Sequence, residues 1–300
     1  MSESPAGPLV RADRSGGTLV LTIDHPPVNV LSRAVLDALL ERLNEAEADP
    51  EVRVVLLASA AAKAFAAGAD IREMARMGPE EARVHGARGQ AVTRRIERLP
   101  LPVIAAVHGV CLGGGCEVAL ACDFVIATPD AQFGQPEINL GVTPGWGGSQ
   151  RLPRRVGVAR ARRWIYTGRS VSGTEAQAEG WIDRVVSREE LLPTALALAR
   201  ELASKPPLAL AAAKYAILRA VDPKIDEGLA YELDLWARLF GTRDQREGMQ
   251  AFLEKKGIPA RDRSGWVESS VGFPWGDRET SGGDDRAGGK RKRDDGSSRD

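Results

Sequence analysis

Apolar residues in the first half of the chain fall into short dense runs separated by amphipathic stretches. Thr18–Ile23 (T-L-V-L-T-I) is rich in β-branched residues and reads as a strand. The turn D-H-P-P-V-N-V-L-S follows, its prolines fixing an extended path and Ser32 suiting a helix N-cap. Val35, Leu36, Leu39, Leu40, Leu43 and Ala46 then recur at helical spacing to about Ala48. Val52–Ala58 is a nearly continuous apolar run of the kind buried on both faces of a sheet. Residues 80–98 form a polar, Arg-rich helix, and Leu101–Val107 and Phe124–Ala127 are further buried strands. This strand–helix alternation predicts an α/β fold with layered sheets. No period strong enough for a sequence repeat is visible.

Beyond Gly148 the pattern turns mostly helical. G-V-A-R-A-R-R-W-I-Y-T-G and S-G-T-E-A-Q-A-E-G read as two short helices, the second capped by Ser172 or Thr174. A brief strand at Ile182–Val186 precedes helices near 188–203, 206–220, 224–240 and 243–256. Residues 1–17 look frayed, and 264–300 have the Gly/Ser/Asp/Arg composition of a disordered tail, K-R-K-R at 290–293 included. That division gives a core over 18–200 and a helical C-terminal region over 201–263.

Composition narrows the function classes. At 300 residues, 43% hydrophobic and 27% charged, the chain is an ordinary globular one, and its formal net charge of +0 gives no basic field for nucleic acid. No apolar run approaches membrane-spanning length and no signal-peptide core opens the chain, so a cytoplasmic location is expected. Cys111, Cys116 and Cys122 lack C-x-x-C spacing, and His25, His85 and His108 are scattered, so no metal site is expected.

The candidate chemistry lies between Gly109 and Gly148. Gly113–Gly115 follow a strand-like run and open a small-residue helix, which leaves backbone N–H groups bare where negative charge is stabilised. Glu117 and Glu137 follow in weakly charged surroundings. Bare N–H groups beside two carboxylates point to enolate or oxyanion chemistry with proton transfer. Glu117, in the first turn of its helix, is expected to stay ionised and suit a base. Glu137, between Pro136 and Ile138 in an apolar loop, is expected to have a raised pKa and suit an acid. A second Gly-centred loop, residues 62–74, has the small uncharged side chains of a segment that clasps a flat ligand with its main chain.

A-F-A-A-G-A-D-I at 64–71, G-G-G-C-E at 113–117 and G-Q-P-E at 134–137 together resemble the enoyl-CoA hydratase, or crotonase, family. P-P-V-N-V-L-S, P-G-W-G-G-S-Q-R-L and D-Q-R-E-G-M-Q-A-F-L-E-K extend the resemblance in order across about residues 18–262. It implies a fold of repeated ββα units with a helical C-terminal region supporting a homotrimer or a hexamer. It also implies an acyl-CoA substrate, with coenzyme A part of that substrate and no separate cofactor. The thioester oxygen would sit between the N–H groups of Ala69 and Gly114. Coenzyme A would lie along Val28, Ala67, Ala69, Asp70, Ile71 and Arg72, with Gly114 and Gly145 also against the substrate and Met74 and Trp146 at the acyl pocket. Retention of both glutamates implies hydration of a 2-enoyl-CoA, with isomerisation or decarboxylation as alternatives. An RNA-binding protein on the same scaffold is the remoter alternative, since it would need a basic face and the zero net charge with acid-interleaved arginines counts against one.

Overall fold

The computed structural model describes residues 7–220 except 75, 76 and 78. The helices expected at 224–240 and 243–256, the region over 201–263 beyond Ala220 and the tail over 264–300 lie outside the described residues.

The chain opens with strands β1 (Val10–Ser15) and β2 (Thr18–Ile23), then helix α1 (Arg33–Ala48). Strands β3 (Val54–Ser59) and β4 (Ala64–Ala66) lead to helices α2 (Ile71–Met74) and α3 (Pro79–Arg98). Strands β5 (Val103–Val107) and β6 (Val110–Leu112) lead to α4 (Gly114–Ala121). Strands β7 (Phe124–Ala127) and β8 (Gln132–Gly134) lead through a 3-10 turn, Pro136–Leu140, to α5 (Gly148–Val156) and α6 (Val158–Thr167). Strand β9 (Ser170–Ser172), α7 (Gly173–Ala178), β10 (Arg184–Val185), α8 (Arg188–Ala203) and α9 (Pro207–Ala220) complete the described chain. The pairs β3–β4, β5–β6 and β7–β8 each lay one strand in a six-stranded sheet, β1-β2-β3-β5-β7-β10, and one in a four-stranded sheet, β4-β6-β8-β9, before a helix or turn, whereas β1 and β2 both join the large sheet. The large sheet is parallel apart from the β1–β2 hairpin, and the small sheet apart from β8–β9.

The strand alternation explains the layering. Val55, Leu57, Val103, Ala105 and Val107 face the main core with α1 and the small sheet, whereas Val54, Leu56, Ile104 and Ala106 face a second core under α8. Leu191, Ala195 and Ala199, spaced by four, are the α8 side of that second core. Ser187 starts α8 with a reciprocal capping box to Glu190, and Ser172 caps α7 by accepting from the Glu175 N–H.

One expectation is corrected. The first 17 residues are not frayed throughout, because Val10–Ser15 pairs residue by residue with Thr18–Ile23. Only Val10 of β1 is buried, so this edge strand lacks the apolar alternation that marks the others.

Helix α9 is tied down by a buried cation. Lys214 Nζ donates to the carbonyls of Ile96 (3.0 Å) and Leu101 (3.1 Å) and pairs with Asp123 at 2.7 Å. Asp123 in turn accepts from the Val103 N–H at 2.7 Å, so a single ammonium joins the ends of α3, α4 and β5. Lys214→Met keeps the apolar stem but strands the carboxylate and two carbonyls. Urea unfolding is expected to show a loss of about 3 kcal/mol.

Candidate active site

Two loops bring the bare N–H groups together. The early turn and the 67–69 loop are stitched by Ala67 N–H to Val28 O (3.0 Å) and Leu31 N–H to Gly68 O (2.8 Å), with a parallel bridge between Leu31 and Ala69. Asn29, fully buried, anchors this turn: its Nδ2 donates to Ile23 O, Ser59 Oγ and Phe65 O, and its Oδ1 accepts from the His25 N–H. Gly68, at φ +95°, bends the loop against the start of α4, where a Cβ would stand 3.0 Å from Leu112 O and 3.4 Å from Gly114 N. Gly114 is the first residue of α4, so its N–H has no carbonyl four residues back to pair with. The Ala69 and Gly114 segments therefore converge.

Glu117 is 2% exposed, and its Oε1 accepts from the Trp146 N–H and the Gly148 N–H, both at 2.7 Å. Burial pushes its pKa up, against the opposing pull of those N–H groups and the Arg151 charge. Desolvation of the carboxylate thus works against the first-turn field, which favours the ionised form.

Glu137 sits in the 3-10 turn, half-buried, with its carboxylate against Gly113; a Cβ there would lie 3.1 Å from Glu137 Oε1. Its Oε2 is buried with no hydrogen-bond partner. Burial raises its pKa to about 7, with the Glu117 charge adding to the rise and its own backbone N–H opposing it. Glu137 thus borders the start of α4, within electrostatic reach of Glu117.

Trp146 closes one side. Its indole fills the space of two missing side chains, since a Cβ on either Gly89 or Gly114 would lie 2.2 Å from it. The His85 ring stands 5.6 Å from the indole, tilted by 50°. His85 is 8% exposed, its Nε2 has no partner, and burial lowers its pKa despite the charge of Glu73, with Arg33 and Arg88 adding to the lowering. Thr93 Oγ1 donates to Trp146 O at 2.8 Å, and Gln90 Nε2 to Gly145 O at 2.9 Å.

Of the expected substrate contacts, Val28, Ala67 and Ala69 are gathered at the stitched turn, and Asp70 caps α2 by accepting from the Arg72 N–H at 2.8 Å. Ile71 and Arg72 are exposed, Met74 is half-buried, and Gly145 is exposed beside Trp146. The sequence reading missed His85, Thr93 and Arg151. Their one linear signal is that His85, Gly89, Thr93 and Glu97 recur every four residues along α3, an uncrowded face in an otherwise arginine-rich helix. Among the described residues no cluster of metal-ligating side chains occurs.

Comparison with known proteins places this geometry. A family model described as enoyl-CoA hydratase/isomerase matches residues 13–263. The chain is similar to a short-chain-enoyl-CoA hydratase of Clostridium acetobutylicum, 43% identical over 247 residues covering 82% of this chain and 95% of the relative. It is also similar to a crotonyl-CoA hydratase of Syntrophomonas wolfei, 44% identical over 238 residues, 79% of this chain and 92% of the relative. A solved enoyl-CoA hydratase from Bacillus anthracis superimposes with a TM-score of 0.79 at 39% identity, covering 84% of this chain and 98% of that one. The two-sheet arrangement of ββα passes is accordingly the crotonase fold, and the chain belongs to the enoyl-CoA hydratase/isomerase family.

Proposed function

We propose that this protein is an enoyl-CoA hydratase, a lyase that adds water across the 2,3 double bond of a short-chain 2-enoyl-CoA to give a 3-hydroxyacyl-CoA. The observation that carries the reading is the placing of Glu137 against the start of α4, within electrostatic reach of the buried Glu117. The thioester oxygen accepts from the Ala69 and Gly114 N–H groups, which stabilise the enolate as it forms. One water lies between the carboxyl groups. Glu117 takes a proton from it while the water oxygen bonds to Cβ. The double-bond electrons move to the thioester, and Glu137 gives its proton to Cα, so both additions occur on one face. Return of the proton from Glu117 to Glu137 restores the pair. Burial supports the division of labour: Glu137, with its pKa near 7, keeps a proton to give, whereas the two N–H groups on Glu117 Oε1 favour its ionised form.

Coenzyme A binds along Val28, Ala67 and Asp70, with exposed Ile71 and Arg72 beside it and Arg72 free to meet a phosphate. Trp146, with His85 against its ring, forms with Met74 of α2 the wall that limits the acyl group, in keeping with the short-chain and crotonyl names of the relatives. Self-association as a trimer or hexamer, a cytoplasmic location and a place in fatty-acid β-oxidation complete the reading. Exposed Ile138, Leu140 and Val142 supply apolar surface for such contacts. Among the described residues no helix is long and apolar enough to cross a membrane.

The test is loss of the conjugated enoyl-thioester absorbance with crotonyl-CoA, followed across pH. The rate constant kcat/KM is expected to fall as pH rises through about 7, where Glu137 loses its proton. On the acid side it should fall at a pH above the ordinary carboxylate range, because Glu117 must be ionised and burial raises its pKa. No hydration, with isomerisation of a 3-enoyl-CoA instead, would overturn the reading.

A further inference from the structure

The peptide group of Trp146 is held at both ends. Its N–H donates to Glu117, and its carbonyl accepts from Thr93 Oγ1 at 2.8 Å and from Arg151 Nη1 at 3.0 Å. Arg151 is itself clamped: Nε and Nη2 reach the two carboxylate oxygens of Glu97 at 3.1 and 2.8 Å, a two-point pairing that fixes the guanidinium plane. The side chains are 13% and 29% exposed. Gly147, at φ +112°, makes room, since a Cβ there would lie 1.9 Å from Arg151 Nη1. The G-W-G-G-S-Q-R segment therefore folds its arginine back over its own backbone.

We infer that Arg151, braced by Glu97, is a positioning residue for Glu117, and that it acts by locking the Trp146 carbonyl so that the Trp146 and Gly148 N–H groups stay aimed at Oε1. The inference rests on the acid–base role proposed above for Glu117. Without the lock, the 145–148 segment could rotate its N–H groups off the carboxylate and leave the base in the wrong place for the water. The charged and titratable groups facing Glu117 are Arg151 from α5, Glu137 from the 3-10 turn and the Cys116 thiol from its own helix. Glu97 of α3 acts through Arg151, and Thr93 is uncharged. Of these only Arg151 is positive, so its removal also takes away a charge that favours the carboxylate.

The test compares Arg151→Gln, Arg151→Lys and Thr93→Val on crotonyl-CoA. Arg151→Gln is expected to lower kcat roughly a hundredfold with little change in KM, and to move the acid limb of kcat/KM to higher pH. Arg151→Lys keeps a charge but cannot hold Glu97 and the carbonyl together, so kcat falls less and the acid limb stays. Thr93→Val removes one carbonyl donor, lowering kcat without moving the limb. A folded Arg151→Gln enzyme with the kcat of the wild type, or with an unmoved acid limb, overturns the inference. If that variant does not fold, undiminished kcat in the other two does so. An inactive wild type counts against the functional reading instead. In that case, carbon NMR titration of Glu117 in wild type and Arg151→Lys judges the lock without turnover, and an unchanged chemical shift for the ionised Glu117 carboxylate overturns it.

Discussion

Glu137→Gln is expected to lower kcat for crotonyl-CoA hydration by about 10²–10⁴-fold while leaving the protein at least as stable as before. The amide matches the carboxyl in shape but has no acidic proton to deliver to Cα. Stability should behave oppositely to activity. The Glu137 pKa rises from 4.5 to about 7 on folding, so the penalty for its charge is absent below 4.5 and grows as pH rises toward 7. Glutamine never carries that charge. At pH 8 the variant should therefore unfold at the same or a higher urea concentration than the wild type. A variant that loses both activity and stability at pH 8 would mark Glu137 as a structural group. Glu117→Gln should be comparably inactive, and the double variant little worse than either single one, because the two carboxyls work on one water.

Gly115→Ala should be the most damaging small change in the N–H pocket. A Cβ at this position would lie 2.2 Å from the Ala66 carbonyl oxygen and 2.9 Å from the Ala66 Cβ. Backbone cannot step aside as a long side chain can, so α4 and β4 must separate, carrying Gly114 away from the loop that bears Ala69. The expected cost is about 1–3 kcal/mol of stability from overpacking. Weakening one of the two N–H donors should further cost about 10²–10³ in kcat. Steady-state kinetics and urea unfolding on one preparation separate the two effects. A variant with full kcat would mean that oxyanion stabilisation tolerates displacement of α4.

Much of this architecture was legible in the residues. β2, β3, β5 and β7 are dense apolar runs, and α8 occupies the 188–203 span expected for it. The strands of the small sheet were not legible, because β4, β6, β8 and β9 are three residues long, too short for a period to register. β1 was missed for another reason: it is an edge strand with one buried residue, and its polar face carries no signature. In the site, the glycine run marked the start of α4, because a helix-opening backbone is a local property. The burial of Glu117 was not legible, because the helix start is local whereas burial depends on the 145–148 segment about thirty residues away. The Thr93–Trp146–Arg151 contacts were invisible for the same reason, being made across elements that no spacing connects.

Trp146 divides its labour between backbone and side chain. Its peptide steadies the acid–base carboxylate, and its indole occupies the hollows left by Gly89 and Gly114. The parts of the residue proposed to govern reactivity and chain length are thus chemically separable. A lineage, or an engineer, can re-cut the acyl wall by exchanging the ring while the amide hydrogen goes on holding Glu117. The compensating changes then belong at Gly89, since Gly114 is the residue proposed to hold the thioester oxygen. Substrate range can in this way drift along α3 while the catalytic apparatus stays where it is.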